Sequence, residues 1–261
     1  MILTARKRTN NCGVGSGPPH GIAGLTGNGW WSPVVGRLIN RPVVPSVVLM
    51  LVAIVAGGAA LGVHLLVSSG WSPLRQLDLS VLHAAEAHVS DAGWLVFGFK
   101  AVSAVTVPLV YEVGAVVAAL ALVWHRRPRS AAYVLLAVLP AMQFAPVIKE
   151  WVRRDRPSVV DPWAGAGGYS FPSGHALCVS AAASVLVAMA LLLATKPVHR
   201  AAAVVVAVVS VIGVCAARVA LGVHYFSDVA AGFLIGTGWV CATMAAALPL
   251  LRRDYQRGAR A

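Results

Sequence analysis

Long stretches without charge dominate the chain, and their apolar residues cover every helical face instead of forming one stripe. Residues 43–67 contain no Asp, Glu, Lys or Arg, and at 1.5 Å per residue such a helix crosses a hydrocarbon core of about 30 Å. Five more runs of this kind are predicted at residues 102–124, 131–148, 176–195, 201–217 and 229–251. Only the first of these five carries a formal charge, Glu112, about ten residues inside the helix. A soluble core helix is rarely apolar all round, so the pattern predicts an all-α polytopic membrane protein with six transmembrane helices in one bundle. Between the first two spans, Ser72-Pro73 has the form of an N-cap followed by a first helical residue. Leu74, Leu77, Val81, Ala85 and His88 then recur at helical spacing, which predicts a short amphipathic helix on the outer surface, shaping a lipid entrance or simply packing.

Composition agrees with this reading and charge refines it. The chain of 261 residues is 58% hydrophobic and 11% charged, with a mean hydropathy of +0.77. The net charge of +12 would suggest nucleic acid on a soluble protein, but such hydropathy excludes that partner. Fourteen of the 21 basic residues fall on one side of an alternating bundle. They are Arg6, Lys7, Arg8, Arg37 and Arg41 before the first span, Arg126, Arg127 and Arg129 after the second, Lys196 and Arg200 after the fourth, and Arg252, Arg253, Arg257 and Arg260 after the sixth. The positive-inside rule makes that side, with both termini, cytoplasmic. The predicted organisation is a disordered cytoplasmic tail over residues 1–41, a membrane domain over 42–251 and a basic cytoplasmic tail over 252–261. No apolar leader segment stands near residue 1, so the first span is expected to act as an uncleaved anchor. Cys12, Cys178, Cys215 and Cys241 lack metal-type spacing and predict no structural disulfide.

Seven basic residues remain on the outer side: Arg75, Lys100, Lys149, Arg153, Arg154, Arg156 and Arg218. Topology does not account for them. Arg75, Arg153 and Arg154 read as interfacial side chains snorkelling to headgroups, and His64, His83 and His88 as structural. Lys100 divides between snorkelling and contact with a distal phosphate, and Glu112 between a functional carboxylate and a protonated carboxyl bonded inside the bundle. Lys149 and Arg156 lie seven residues apart, close to two helical turns, so both can face one anion before Pro157 turns the chain out. Phe171-Pro172-Ser173-Gly174-His175 leads directly into the fourth span, where Ser173 and the free N–H groups of a helix start suit a phosphate and His175 adds a proton source. Arg218, His224 and Asp228 follow the fifth span, with His224 and Asp228 one helical turn apart, a spacing at which a carboxylate holds an imidazole.

In order, these strings resemble the signature of the type 2 phosphatidic acid phosphatase family, which is shared with the vanadium-dependent haloperoxidases. The pattern is Lys-x6-Arg-Pro, Pro-Ser-Gly-His and Ser-Arg-x5-His-x3-Asp, matched here by Lys149 to Pro157, Pro172 to His175 and Ala217-Arg218 to Asp228. One departure is Ala217, where the family has serine; it removes one potential phosphate hydrogen bond. The resemblance implies an integral-membrane lipid phosphatase of the cell membrane, acting on its extracytoplasmic face. Its implied substrate is a phosphomonoester or diphosphate lipid: polyprenyl diphosphate, phosphatidylglycerol phosphate or phosphatidate. Lys149, Arg156, Ser173, Gly174 and Arg218 are then phosphate-binding residues. His224 is the nucleophile forming a phosphohistidine, Asp228 stabilises its imidazolium, and His175 is the acid and then the base. Three fixed cations imply metal-independent hydrolysis without a cofactor. Alternatives within this reading are a phosphotransferase of the same fold and a non-catalytic lipid-phosphate binder or transporter. Haloperoxidase activity fits poorly with six membrane spans.

Overall fold

A computed structural model describes residues 43–90, 93–157 and 167–258. The expected tail over residues 1–41 lies outside the described residues, as do Cys12 and Arg260. Among the described residues the chain is all-helical: α1 (Val43–Ser68), α2 (Ser72–Ser90), α3 (Gly93–Val105), α4 (Pro108–Trp124), α5 (Pro128–Val152), α6 (Gly174–Leu193), α7 (Pro197–Ala220) and α8 (Phe226–Gly258). Five of these are long and apolar enough to cross a membrane, and α3 with α4 forms a sixth span if the bent pair is taken as one.

The second span therefore differs from its expected form. It starts earlier, at Gly93, and breaks between Val105 and Pro108 with a bend of 50°. Proline disfavours helical backbone at the preceding residue, and Val107 is accordingly extended, with φ −64° and ψ 150°. The fifth and sixth spans lie within α7 and α8, the fourth matches α6 except for its last two residues, 194 and 195, and α8 continues as helix through the predicted basic tail to Gly258.

The bundle is organised around α6 and α8. Helix α6 buries residues on all its faces, including Leu177, Cys178, Val179 and Ala181, and packs against α5, α7 and α8. Helix α8 also packs along α1. Close approach of α6 and α8 depends on Gly232 and Gly236, one turn apart. A Cβ on Gly232 would lie 2.6 Å from the Ser173 carbonyl oxygen, and one on Gly236 would meet that of Leu177. Small residues at this spacing let membrane helices bring their backbones together.

Helix α2 does not simply lie on a surface. It packs against α3, α7 and α8, and its buried face is Asp78, Leu82 and Val89. Leu77 and His88, assigned to the buried stripe from sequence, are exposed. The face is rotated because Asp78, 1% exposed, finds a cation inside the bundle.

Candidate active site

Three chain reversals at one end of the bundle assemble the polar residues. The first closes α5: Arg153 adopts a left-handed conformation, φ 50°, while its N–H bonds the Lys149 carbonyl. Lys149 therefore sits in the last turn of the helix and Arg156 lies in the loop beyond it, so the two do not share a helical face as their spacing had suggested. Backbone carbonyls fix Arg156 instead. It donates to Gly168 O (3.0 Å), Gly167 O (2.9 Å) and Val223 O (2.8 Å). The Ser170 hydroxyl and N–H hold this loop through the Arg154 and Asp155 carbonyls.

The second reversal starts α6. Ser173 is its N-cap residue, extended and with no side-chain cap bond, and its hydroxyl is buried without a hydrogen-bond partner. Its N–H donates to the Asp228 carbonyl at 2.9 Å, tying the second string to the third.

The third reversal follows α7. Gly222 takes φ 69°, its N–H bonds Val219 O, and the Val223 N–H bonds Arg218 O. This is a Schellman turn, which glycine permits at no steric cost. It explains why five residues separate Arg218 from His224: the turn carries the chain back over the helix end it has just left. His224 precedes α8, and Asp228 lies in the first turn of that helix. Asp228 Oδ2 accepts the Tyr225 N–H at 3.0 Å, the carboxylate half of a capping box. The pair predicted on one helical turn is thus a loop histidine beside a capping carboxylate, with His224 Nδ1 3.5 Å from Asp228 Oδ2.

A cavity of about 980 Å³ opens at this end. Lys149, Arg156, Gly174, His175, Arg218 and His224 all line it. Ser173 and Asp228 sit behind the wall, both 0% exposed. Lys100, Ser103 and Glu112 also face the cavity, so Glu112 borders the site rather than being enclosed elsewhere in the bundle. Arg218 donates to the Ser103 hydroxyl, which ties α7 to the kinked second span. Ala217 is fully buried and does not line the cavity.

Arg156 Nη1 lies 3.3 Å from His224 Nε2. A guanidinium only donates, so Nε2 is the accepting nitrogen and Nδ1 carries the proton that faces Asp228. Burial lowers the His224 pKa from 6.5 to about 4; Asp228 opposes the shift, and Arg218 and Arg156 reinforce it. The imidazole is therefore neutral at pH 7, with its lone pair on Nε2, the nitrogen beside the cations. Buried polar atoms without a hydrogen-bond partner cluster here: Ser173 Oγ, His175 Nε2, Arg218 Nε and His224 Nδ1.

Two residues escaped the sequence reading. Arg154, assigned to headgroups, instead turns inward: Nη1 donates to Asp228 Oδ1 (2.6 Å) and Ser227 Oγ (2.7 Å), and Nη2 to Asp78 Oδ2 (2.7 Å). Asp78 received no role at all. Its signal was an acid one turn from both Leu74 and Leu82 on an amphipathic helix, a position that is costly unless a cation is close.

Comparison with known proteins agrees with this architecture. A sequence model of the PAP2 superfamily matches residues 130–250. Phosphatidylglycerophosphatase B of Bacillus subtilis (strain 168) is 30% identical over 137 residues, 51% of this chain, and the chain spans 64% of that protein's length. The crystal structure of a transmembrane PAP2 type phosphatidylglycerolphosphate phosphatase from Bacillus subtilis superposes with a TM-score of 0.56 at 20% identity, over 77% of this chain and 94% of the other. At that identity the superposition establishes the fold. The resemblance read from the three strings is therefore borne out as a similarity: the stretch that the PAP2 superfamily model matches, residues 130–250, contains all three strings.

Proposed function

We propose that the protein is an integral-membrane lipid phosphatase that cleaves a phosphomonoester or diphosphate headgroup through a phosphohistidine on His224. The observation that carries this reading is the placement of one neutral imidazole. Its Nε2 faces a cavity lined by Lys149, Arg156 and Arg218, and its Nδ1 side faces the buried Asp228. A site that only bound phosphate would need the cations but not the oriented histidine.

In the first step the Nε2 lone pair attacks phosphorus, the N–P bond forms and the P–O bond to the lipid breaks. His175 gives its proton to the departing oxygen. Asp228 stabilises the positive charge that develops on the ring. The three cations hold the equatorial oxygens, and the Gly174 N–H at the start of α6 adds a backbone donor with Ser173 behind it. In the second step His175 takes a proton from water, whose oxygen displaces the histidine and releases inorganic phosphate. The fixed cations supply the charge a metal would otherwise bring, and among the described residues no group of three His, Cys, Asp or Glu is placed to hold one.

Placement of the site favours a lipid. Lys149, His175, Arg218 and Asp228 stand at one end of α5, α6, α7 and α8, and Arg129, Lys196, Arg200 and Arg252 stand at or just beyond the other. With that second set cytoplasmic by the positive-inside rule, the cavity faces the extracytoplasmic side of the cell membrane. Its wall includes Ala104, Val107, Met142 and Pro146, an apolar surface suited to an acyl or prenyl chain. Among the three candidate lipids, the name of the Bacillus relative favours phosphatidylglycerol phosphate.

The test is phosphate release by the purified protein in detergent from these three lipids, with His224→Ala as control. Release that depends on His224 is the expected result. No release from any of them, or full release by the variant, overturns the reading.

A further inference from the structure

Behind His224 lies a second, buried layer of charge that the chemistry above does not use. Asp78 on α2 and Asp228 on α8 are 1% and 0% exposed, and both bind the same guanidinium, that of Arg154. Asp78 is bound on its other sides as well: Oδ1 accepts the Ser227 N–H at 2.8 Å, and Oδ2 accepts the Ser227 hydroxyl at 2.6 Å. The Arg154 guanidinium lies 4.2 Å from the centre of the Tyr225 ring, a cation–π contact. Arg154 thereby engages Asp228 through Oδ1, leaving Oδ2 for the Tyr225 N–H and the His224 ring.

We infer that Asp78 and Arg154 are positioning residues for the nucleophile: they lock the Asp228 carboxylate in the rotamer that orients His224, and Asp78 supplies the charge that keeps this layer net negative. Two carboxylates and one guanidinium sum to one negative charge, on the side of the ring where positive charge develops during attack. Asp78 lies outside the matched segment of residues 130–250, so helix α2 contributes to the chemistry from another part of the chain. One guanidinium that reaches Asp228 through Nη1 and Asp78 through Nη2 bridges the two carboxylates in a fixed plane as a lysine cannot, which accounts for an arginine at position 154.

This inference rests on the phosphohistidine reading, and one set of measurements separates the two. Asp78→Asn keeps size and an acceptor for Ser227 while removing the charge; Arg154→Lys keeps the charge while losing the fork. Each is expected to lower kcat by about tenfold to a hundredfold, the range seen when the outer partner of a metal-bound histidine is lost, with KM unchanged within about twofold because only the transition state is affected. The groups facing His224 are Asp228, His175, Arg156 and Arg218. With these unchanged, Asp78→Asn shifts the acid limb of kcat/KM to lower pH. In an Asp228→Asn background the effect of Asp78→Asn should be smaller than in the wild type, because the charge of Asp78 is still lost but there is no carboxylate left for it to orient.

A purely structural role would reduce the yield of folded protein without moving either the limb or the ratio of kcat to KM. Folded variants with wild-type kcat and limb, or an undiminished effect of Asp78→Asn in the Asp228→Asn background, would overturn the inference. If the wild-type protein releases no phosphate, the phosphatase reading fails and this inference falls with it.

Discussion

Replacing Gly232 by alanine tests how closely the helix contacts set the chemistry. The new Cβ would stand 2.6 Å from the Ser173 carbonyl oxygen, 3.1 Å from the Leu177 nitrogen and 3.1 Å from Ala176 Cβ. Ordinary contact begins near 3.4 Å, so α6 and α8 must separate by about 0.8 Å. Overpacking of this kind costs about 1–3 kcal/mol, against about 1 kcal/mol gained from the better helix propensity of alanine. The same movement strains the hydrogen bond from the Ser173 N–H to the Asp228 carbonyl and shifts His175 relative to His224. A misplacement near 1 Å can cost about a hundredfold in rate. Gly213→Ala in α7 is the control, because its Cβ meets nothing within 4 Å; it should keep full activity and gain up to about 1 kcal/mol. Thermal unfolding and phosphate release in the same detergent measure both effects. If Gly232→Ala is as stable and as active as Gly213→Ala, the close crossing does not position the site.

Four further outcomes follow from the site. With burial holding His224 near 4, the acid limb of kcat/KM, where the nucleophile becomes protonated, is expected near pH 4, and an acid limb with its midpoint at 6.5 would refute the buried neutral nucleophile. The linked stability has the same sign: the unfolded chain binds the proton more readily, so stability is full above 6.5 and declines as pH falls toward 4, a slope that His224→Gln should flatten. Phosphate release should survive EDTA, and loss that magnesium restores would reject the metal-free mechanism. A cysteine at Gly167 should be labelled from outside intact cells, and labelling only from the cytoplasmic side would overturn the orientation.

Apolar runs marked the membrane spans because a lipid-facing helix carries its signal in length alone. That signal is blind to a break. The run at residues 102–124 contains Pro108, whose effect on Val107 bends the span and places Lys100 and Ser103 on the cavity wall. Periodicity located α2 but displaced its buried face by one residue, since Leu77 looked more apolar than Asp78. The acid is the residue turned inward because Arg154 pairs with it there, 2.7 Å from Oδ2.

The strings were legible as a set and the pairing of His224 with Asp228 was read correctly, but the shared helical face inferred for Lys149 and Arg156 was wrong. Lys149 and Arg156 meet through a left-handed Arg153 and a loop held by Ser170, and His224 meets Asp228 through a glycine turn and a capping carboxylate. Spacing records that such residues converge, while the turn that achieves it depends on single backbone conformations that spacing does not encode.

Arg154 and Arg156 show what a count of charges leaves out. They are two residues apart, equally cationic, and were assigned different fates from the motif alone. The structure separates them by which atom of the His224–Asp228 pair each one reaches. Arg156 touches the ring at Nε2, where an incoming phosphate requires positive charge. Arg154 binds Asp228 at Oδ1, where a cation alone would weaken the carboxylate's support of the imidazolium. Asp78 reverses that effect by returning one negative charge to the layer. The ring is thereby held across a field, cations on the side that attacks and net negative charge on the side that must accept the developing charge. On the proposed mechanism the charge that Arg154 brings behind Asp228 is offset by the second acid from α2, which ties Asp78 to the chemistry as well as to the packing.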